Sequence, residues 1–126
     1  MPGAVALVRQ VRAAGCQIVY LTGRDHSMRE GTEDSLRNWG FPYDAPDCHL
    51  FTKPDARLDD TAFKEQAMEV LATLGSVVLY LDNEPSNVNL YHDRHPDALV
   101  VFVETDHSPR PVSPHPALPW LRSFVD

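Results

Sequence analysis

The apolar positions along this chain follow two periods, one typical of helices and one typical of buried strands. The first stripe has the i, i+3, i+4, i+7 spacing of an amphipathic helix and consists of Ala4, Leu7, Val8 and Val11. Similar stripes, with their caps and stops, predict helices over residues 2–14, 32–39, 61–74 and 85–94. Short apolar runs between them predict strands over residues 17–21, 48–52, 77–81 and 98–103.

Helices and strands therefore alternate along the chain, which is typical of a parallel sheet with right-handed crossovers. We expect an α/β fold of three layers, Rossmann-like, in which helices cover both faces of a parallel sheet. The chain, residues 1–126, is long enough for one domain with a real core. At its end, residues 108–126 are predicted to form a proline-rich strap and a C-terminal tail that docks on the core.

The strand over residues 77–81 leads directly into a polar segment, Asp82-Asn83-Glu84-Pro85. Pro85 suits the first turn of a following helix, where a missing N–H costs nothing. The strand therefore delivers Asp82 and Asn83 to the edge of the sheet where ligands bind in open α/β folds. The alternative is that Asp82, Asn83 and Glu84 only cap the helix.

Two other polar groups are expected at the same edge. Thr22 ends the strand over residues 17–21, and its hydroxyl with the backbone N–H groups of Gly23 and Arg24 would form a cradle for an anion. Lys64, in the first turn of the third helix, would add a positive charge from a position beside the apolar face. An anion cradle, a lysine and the hard oxygens of Asp82 and Asn83 predict a phosphate and Mg²⁺ site.

The third helix is expected to turn Phe63, Ala67, Val70 and Leu74 toward the core. Its N-terminus is predicted to be capped by Asp59 and Asp60, and that of the second helix by Thr32. Trp39 and Phe41 are also predicted core residues.

Net charge and composition disfavour several classes of partner and cellular environment for this protein. The net charge of −7 disfavours a nucleic-acid backbone as the main partner. Two cysteines argue against a disulfide framework and suit a reducing cytoplasm. The sequence has neither an apolar span of 18 residues nor a charged leader followed by an apolar core, so we expect no membrane helix and no signal peptide.

Two of these segments resemble motifs of the haloacid dehalogenase superfamily of phosphatases and related hydrolases. Residues 18–24, Ile-Val-Tyr-Leu-Thr-Gly-Arg, are similar to its second motif, and residues 81–85, Leu-Asp-Asn-Glu-Pro, to its fourth. By this resemblance Thr22 would hold the phosphate, and Asn83 would be the direct Mg²⁺ ligand with Asp82 beside it. The substrate would be a small phosphorylated compound.

The lone lysine of the family's third motif fits Lys64 best. It stands in the pattern Asp-Asp-x-x-x-Lys, which resembles the phosphatase domain of polynucleotide kinases. Lys53 is the alternative. The resemblance thus implies that Thr22 and Lys64 act in catalysis, and that Thr22, Gly23, Arg24 and Lys64 bind the phosphate.

The family's first motif, Asp-x-Asp at the end of an apolar strand, has no counterpart before Thr22. The 21 residues that precede Thr22 contain no aspartate. By the resemblance, the domain is incomplete at its N-terminus and lacks its central strand, which normally carries the nucleophile. Two hypotheses follow: a Mg²⁺-dependent phosphomonoester hydrolase that an upstream Asp-x-Asp strand would complete, or a non-catalytic phosphate-binding or regulatory module.

The family's sheet also predicts how the four strands are ordered. By chain position the order would be second, first, third, fourth, with the missing strand at the centre. Either the first and third strands then pair directly, or the sheet has an unpaired seam between them. Unpaired strand edges invite association with another chain, so either marginal stability or a homodimer is expected. Mg²⁺ is expected to bind weakly to this chain, because the missing strand would supply further ligands.

Overall fold

A computed structural model describes residues 3–55, 57–103, 113, 114 and 116–121. The helices are α1 (Ala4–Ala13), α2 (Arg29–Asn38), α3 (Asp60–Leu74) and α4 (Pro85–Arg94). The strands are β1 (Ile18–Asp25), β2 (Cys48–Lys53), β3 (Leu79–Asp82), β4 (Leu99–Val103) and β5 (Trp120–Leu121). The predicted α/β class is confirmed. No helix in the described ranges is long and apolar enough to cross a membrane.

The chain forms two compact units that divide between Phe63 and Lys64. In the first unit β1 and β2 pair in parallel, with Ile18 opposite Cys48. In the second unit the parallel strands lie in the order β3, β4, β5. The predicted neighbours β1 with β2 and β3 with β4 are confirmed. The described strands form two sheets, so direct pairing of β1 with β3 was wrong, whereas the alternative of an unpaired seam allowed for this separation. An apolar run locates a strand, whereas its neighbours depend on register and on the side chains along its edges.

Strand β5 was not predicted, because the prolines around it hide the strand pattern. Trp120 lies opposite Phe102 of β4, and the Phe102 N–H donates to the carbonyl of Pro119 over 3.0 Å. Leu118, just before β5, is buried. This part of the tail therefore docks on β4 as a strand, while residues 104–112, 115 and 122–126 of the predicted strap and tail lie outside the described residues.

Helix α2 begins earlier than the predicted N-cap at Thr32. A turn of 3-10 helix, His26–Met28, leads straight into it, and Asp25 caps that turn by accepting from the Ser27 N–H at 3.1 Å. Thr32 lies inside α2, where it is buried and its hydroxyl donates to the carbonyl of Met28. The N-cap prediction for Thr32 was wrong because Asp25, directly before the turn, begins the helical segment first.

The residues that helix α3 buries differ from the predicted set. Phe63 and Ala67 are buried as expected, but Val70 is exposed and Lys64 is only 5% exposed. Lys64 therefore lies on the buried face and not beside it, in a row completed by Met68 and Leu71. The capping prediction is confirmed for Asp59, whose Oδ2 accepts from the Ala62 N–H at 3.1 Å.

Several predicted core positions are exposed. Trp39, at the C-cap of α2, is 76% exposed, because the helix ends there and the chain turns at Gly40 with φ of 83°. Phe41 is half-buried and meets Tyr20 edge to face, with ring centroids 6.1 Å apart. Val78 precedes β3 and is 59% exposed, so the strand is shorter than predicted.

Candidate functional site

The carboxyl end of β1 contains a bulge at the residues predicted to hold the phosphate. Leu21 lies opposite Phe51 and Asp25 lies opposite Lys53, with a register shift between them. Thr22, Gly23 and Arg24 on β1 therefore face the single residue Thr52 on β2. The predicted strand end at Leu21 was wrong, because the strand continues through the bulge to Asp25. Bulges of this kind re-aim side chains and are common beside binding sites.

The bulge brings Thr22 and Arg24 together. The Arg24 N–H donates to Thr22 Oγ1 at 3.2 Å, and the Arg24 guanidinium donates to Thr32 Oγ1 at 3.4 Å. Thr22 is half-buried, whereas Gly23 and Arg24 are exposed. Thr22 keeps its own hydroxyl proton for a ligand, but the Arg24 N–H would have to leave Thr22 before it could bind an anion. The phosphate role of these three residues stays a prediction.

In the second unit, Asp82 is the last residue of β3, and its carboxylate accepts from three donors. Oδ1 accepts from the Glu84 N–H at 2.9 Å. Oδ2 accepts from Asn87 Nδ2 at 3.2 Å and from the Tyr91 hydroxyl at 3.5 Å. The donors come from the start and the first two turns of α4, so Asp82 also organises the beginning of this helix.

Burial raises the pKa of Asp82 above its ordinary value of 3.8. The Lys64 ammonium is close enough to oppose this shift, and the hydrogen bonds from Glu84 and Asn87 oppose it too. Lys64 and Asp82 both belong to the second unit, and their meeting in one site stays a prediction. Desolvation has a larger effect on the Asp82 pKa than these partners. The negative charge of the carboxylate is therefore not fully compensated, and a nearby cation would stabilise it.

Asn87 was not predicted, although the sequence places it in the first turn of the helix that follows Asp82. The residue is buried, and its Oδ1 has no hydrogen-bond partner among the described residues. A buried amide oxygen without a donor is rare, and a bound ion or water molecule is one physical explanation of it. The same holds for the Tyr80 hydroxyl.

Three residues at the end of β3 and the start of α4 carry oxygens of the kind that bind Mg²⁺, and Mg²⁺ binding stays a prediction. Asp82 supplies a carboxylate, Asn87 supplies a buried amide oxygen, and Asn83 follows β3 directly and is half-buried. Oxygen ligands of this kind are those that Mg²⁺ prefers. The described residues contain no group of three or more His, Cys, Asp or Glu side chains that could hold a metal. A single carboxylate with amides would therefore leave the ion most of its water shell.

Lys64 and Lys53 lie in different units. Lys53 ends β2 in the first unit, opposite Asp25, and is buried. Lys64 lies in the second unit with Asp82. The predicted convergence of Thr22 with Lys64, Asp82 and Asn83 stays a prediction, and Lys53 stays the alternative lysine.

Two buried tyrosines of the second unit stack on each other near Asp82. Tyr80 and Tyr91 are both buried, and their rings stack with centroids 4.2 Å apart. Burial raises the pKa of Tyr80 to about 12. Burial, together with the neighbouring Asp82 carboxylate, raises the pKa of Tyr91 as well.

Alkaline titration should reveal these buried phenols. Because their folded-state pKa values lie above 10.0, the stability that they contribute is complete below pH 10 and falls as the pH rises toward about 12. We expect the phenolate absorbance of Tyr80 and Tyr91 to appear late, together with loss of circular dichroism. Tyr80→Phe should remove one phenol from the late phase. A smooth titration of all tyrosines near pH 10 with the fold intact would contradict this expectation.

Comparison with family models, with curated proteins and with solved structures found no match for this chain. The candidate site therefore rests on the geometry of its own residues. The likeness to haloacid dehalogenase hydrolases rests on the motifs at residues 18–24 and 81–85.

Proposed function

We propose that this chain binds a phosphorylated small molecule together with Mg²⁺, in the manner of haloacid dehalogenase phosphatases. In this proposal it resembles a phosphomonoester hydrolase that lacks the nucleophile, and an Asp-x-Asp strand would make it active. The observation that carries the proposal is that the charge of a buried lysine, Lys64, acts on a half-buried carboxylate at the carboxyl end of a parallel strand, Asp82.

Each group in the second unit has a chemical task in this proposal. Asp82 and Asn83 would hold Mg²⁺, and the buried oxygen of Asn87 would add to them. The bound ion would supply positive charge to phosphoryl oxygens. Lys64 would balance the charge of Asp82 and of the phosphate, which a lysine does well as a compact point charge.

In the first unit the proposed task is to hold the phosphate. Thr22 would donate its hydroxyl proton to a phosphoryl oxygen, and Gly23 and Arg24 would add backbone N–H groups. The bulge supports this role, because it places three β1 residues opposite Thr52 and so gives the backbone a conformation that a regular strand lacks.

The alternative is a non-catalytic module that binds phosphate without cleaving it. One observation favours it for this chain. Both aspartates at strand ends are already engaged as local acceptors, Asp25 by Ser27 and Asp82 by donors of α4. A nucleophilic carboxylate needs an oxygen that is available to attack the substrate, and these two carboxylates instead accept hydrogen bonds from their own turns.

Binding of inorganic phosphate in the presence of Mg²⁺ tests the proposal, measured by calorimetry. Thr22→Val keeps the size of the side chain but removes the hydroxyl, and Thr22→Ser is the matched control that retains it. A hydrogen bond to a charged group contributes about 1.5 kcal/mol or more, so Thr22→Val should weaken binding roughly tenfold. Thr22→Ser should bind like the parent chain. Equal affinities for the parent and Thr22→Val would contradict the role of Thr22.

A further inference from the structure

A histidine that the motifs did not include lies at the same strand ends as Thr22. His26 begins the 3-10 turn after β1, and its Nδ1 lies 2.5 Å from Oγ1 of Thr52. Thr52 is the β2 residue that faces the bulge Thr22–Arg24, and it is only 4% exposed. The imidazole is thus anchored directly beside the proposed phosphate cradle.

The anchoring bond determines what the other ring nitrogen can do. The Thr52 hydroxyl is buried, and His26 Nδ1 is its hydrogen-bond partner among the described residues. A buried hydroxyl is satisfied when it donates its proton, so we assign Thr52 as the donor and Nδ1 as the acceptor. The neutral imidazole then carries its proton on Nε2. Because His26 is exposed, this N–H can be reached by a ligand.

We propose that His26 Nε2–H is a further donor to the oxyanion bound at the bulge, and that Thr52 is the residue that positions it. This inference rests on the proposed phosphate-binding function and deepens it. Oδ1 of the neighbouring Asp25 accepts from both the N–H and the hydroxyl of Ser27, so this oxygen is engaged within the turn. The backbone N–H of Arg24 already donates to Thr22 Oγ1. The His26 Nε2–H would give the bound oxyanion a donor in its place.

The test uses the full chain and inorganic phosphate as the probe. His26→Ala removes the donor and should weaken phosphate binding roughly tenfold, as expected for a hydrogen bond to a charged group. His26→Gln offers an amide N–H at the position of Nε2 and should recover most of the affinity. Thr52→Val should weaken binding by about threefold through loss of positioning, whereas Thr52→Ser should restore it.

Nitrogen chemical shifts of the His26 ring give a second measurement that a merely structural role would not move. In the parent chain we expect an unprotonated Nδ1 and a protonated Nε2, with the Nε2 signal shifting when phosphate is added. Thr52→Val should abolish the preference for a proton on Nε2 over Nδ1, and Thr52→Ser should retain it. An Nε2 signal that does not respond to phosphate would overturn the proposal.

The outcomes separate this inference from the function on which it rests. If the parent chain binds phosphate and Thr22→Val weakens it, but His26→Ala binds as tightly as the parent, the inference about His26 is overturned and the proposed function stands. If the parent chain binds no phosphate, both are overturned. Melting curves of each variant identify any loss of binding that comes from unfolding.

Discussion

The 126-residue chain, incubated with Mg²⁺ and a generic aryl phosphate, is expected to release phosphate no faster than a buffer blank. Phosphoryl transfer through an aspartyl intermediate needs a carboxylate held in line with the phosphorus atom. A hydroxyl cradle and a lysine stabilise charge, but they do not replace that nucleophile. The sequence contains no Asp-x-Asp pattern that would supply it.

The structure gives two physical reasons for the same expectation. Asp82 accepts three hydrogen bonds and lies beside Lys64, so its carboxylate is held in place by its own unit. Mg²⁺ would find one carboxylate and two amides there, a set too small to hold the ion firmly. Even with substrate bound, the attacking group and a firmly held metal would both be lacking.

The assay compares the parent chain with the double variant Asp82→Ala, Asn83→Ala at equal concentrations. Both should stay at background. Joining an upstream strand that carries Asp-x-Asp should raise turnover, and changing its first aspartate to asparagine should abolish the gain. Turnover in the parent chain that disappears in the double variant would sink the expectation, because a nucleophile would then exist among these residues.

Replacing Tyr91 with alanine is expected to destabilise the second unit more than any change at the surface. Tyr91 is 2% exposed, its ring stacks on Tyr80, and Val88 of the same helix is fully buried. Truncation of a buried aromatic ring costs about 3–5 kcal/mol, because a cavity remains where the ring was. A domain of this kind is stable by only about 5–15 kcal/mol, so a large part of its stability would be lost.

Two matched variants separate the contribution of the ring from that of the hydroxyl. Tyr91→Phe keeps the stack and removes the bond of 3.5 Å to Asp82, so it should cost only about 0.5–1.5 kcal/mol. Trp39→Ala truncates an aromatic residue that is exposed, and should change stability by less than about 0.5 kcal/mol. Urea unfolding measures all three. A Tyr91→Ala variant as stable as Trp39→Ala would show that Tyr91 is not a core residue.

Local sequence patterns predicted the element types and several of their ends. Helix α4 runs from Pro85 to Arg94 as expected, because proline at N1 and the following spacing act within one or two turns. Asp59 caps α3 for the same reason. The placement of Asp82 at a strand end was also predicted, since the end of an apolar run and the proline after it are read from adjacent residues.

The candidate site was predicted only in part. Lys64 and Asp82 lie in the same unit, and the charge of Lys64 lowers the pKa of Asp82, but the convergence of Thr22, Lys64, Asp82 and Asn83 stays a prediction. The bonds from Asn87 and Tyr91 to Asp82 were not predicted, because they depend on how α4 turns back over the end of β3. The contact between His26 and Thr52 was missed because it joins residues 26 positions apart.

By itself, the sequence determined those features that depend on neighbours along the chain: the α/β class, the alternation of the main helices and strands, the Asp59 cap and the position of Asp82 at a strand end. Contacts between distant segments settled the rest, namely the bulge at Thr22, the burial of Lys64, the exposure of Trp39 and the pairing of β5 with β4. The physical reason is the distance along the chain over which each effect acts. Propensity and capping act over about one to two turns, whereas register and burial are set by side chains that meet only after the chain has folded.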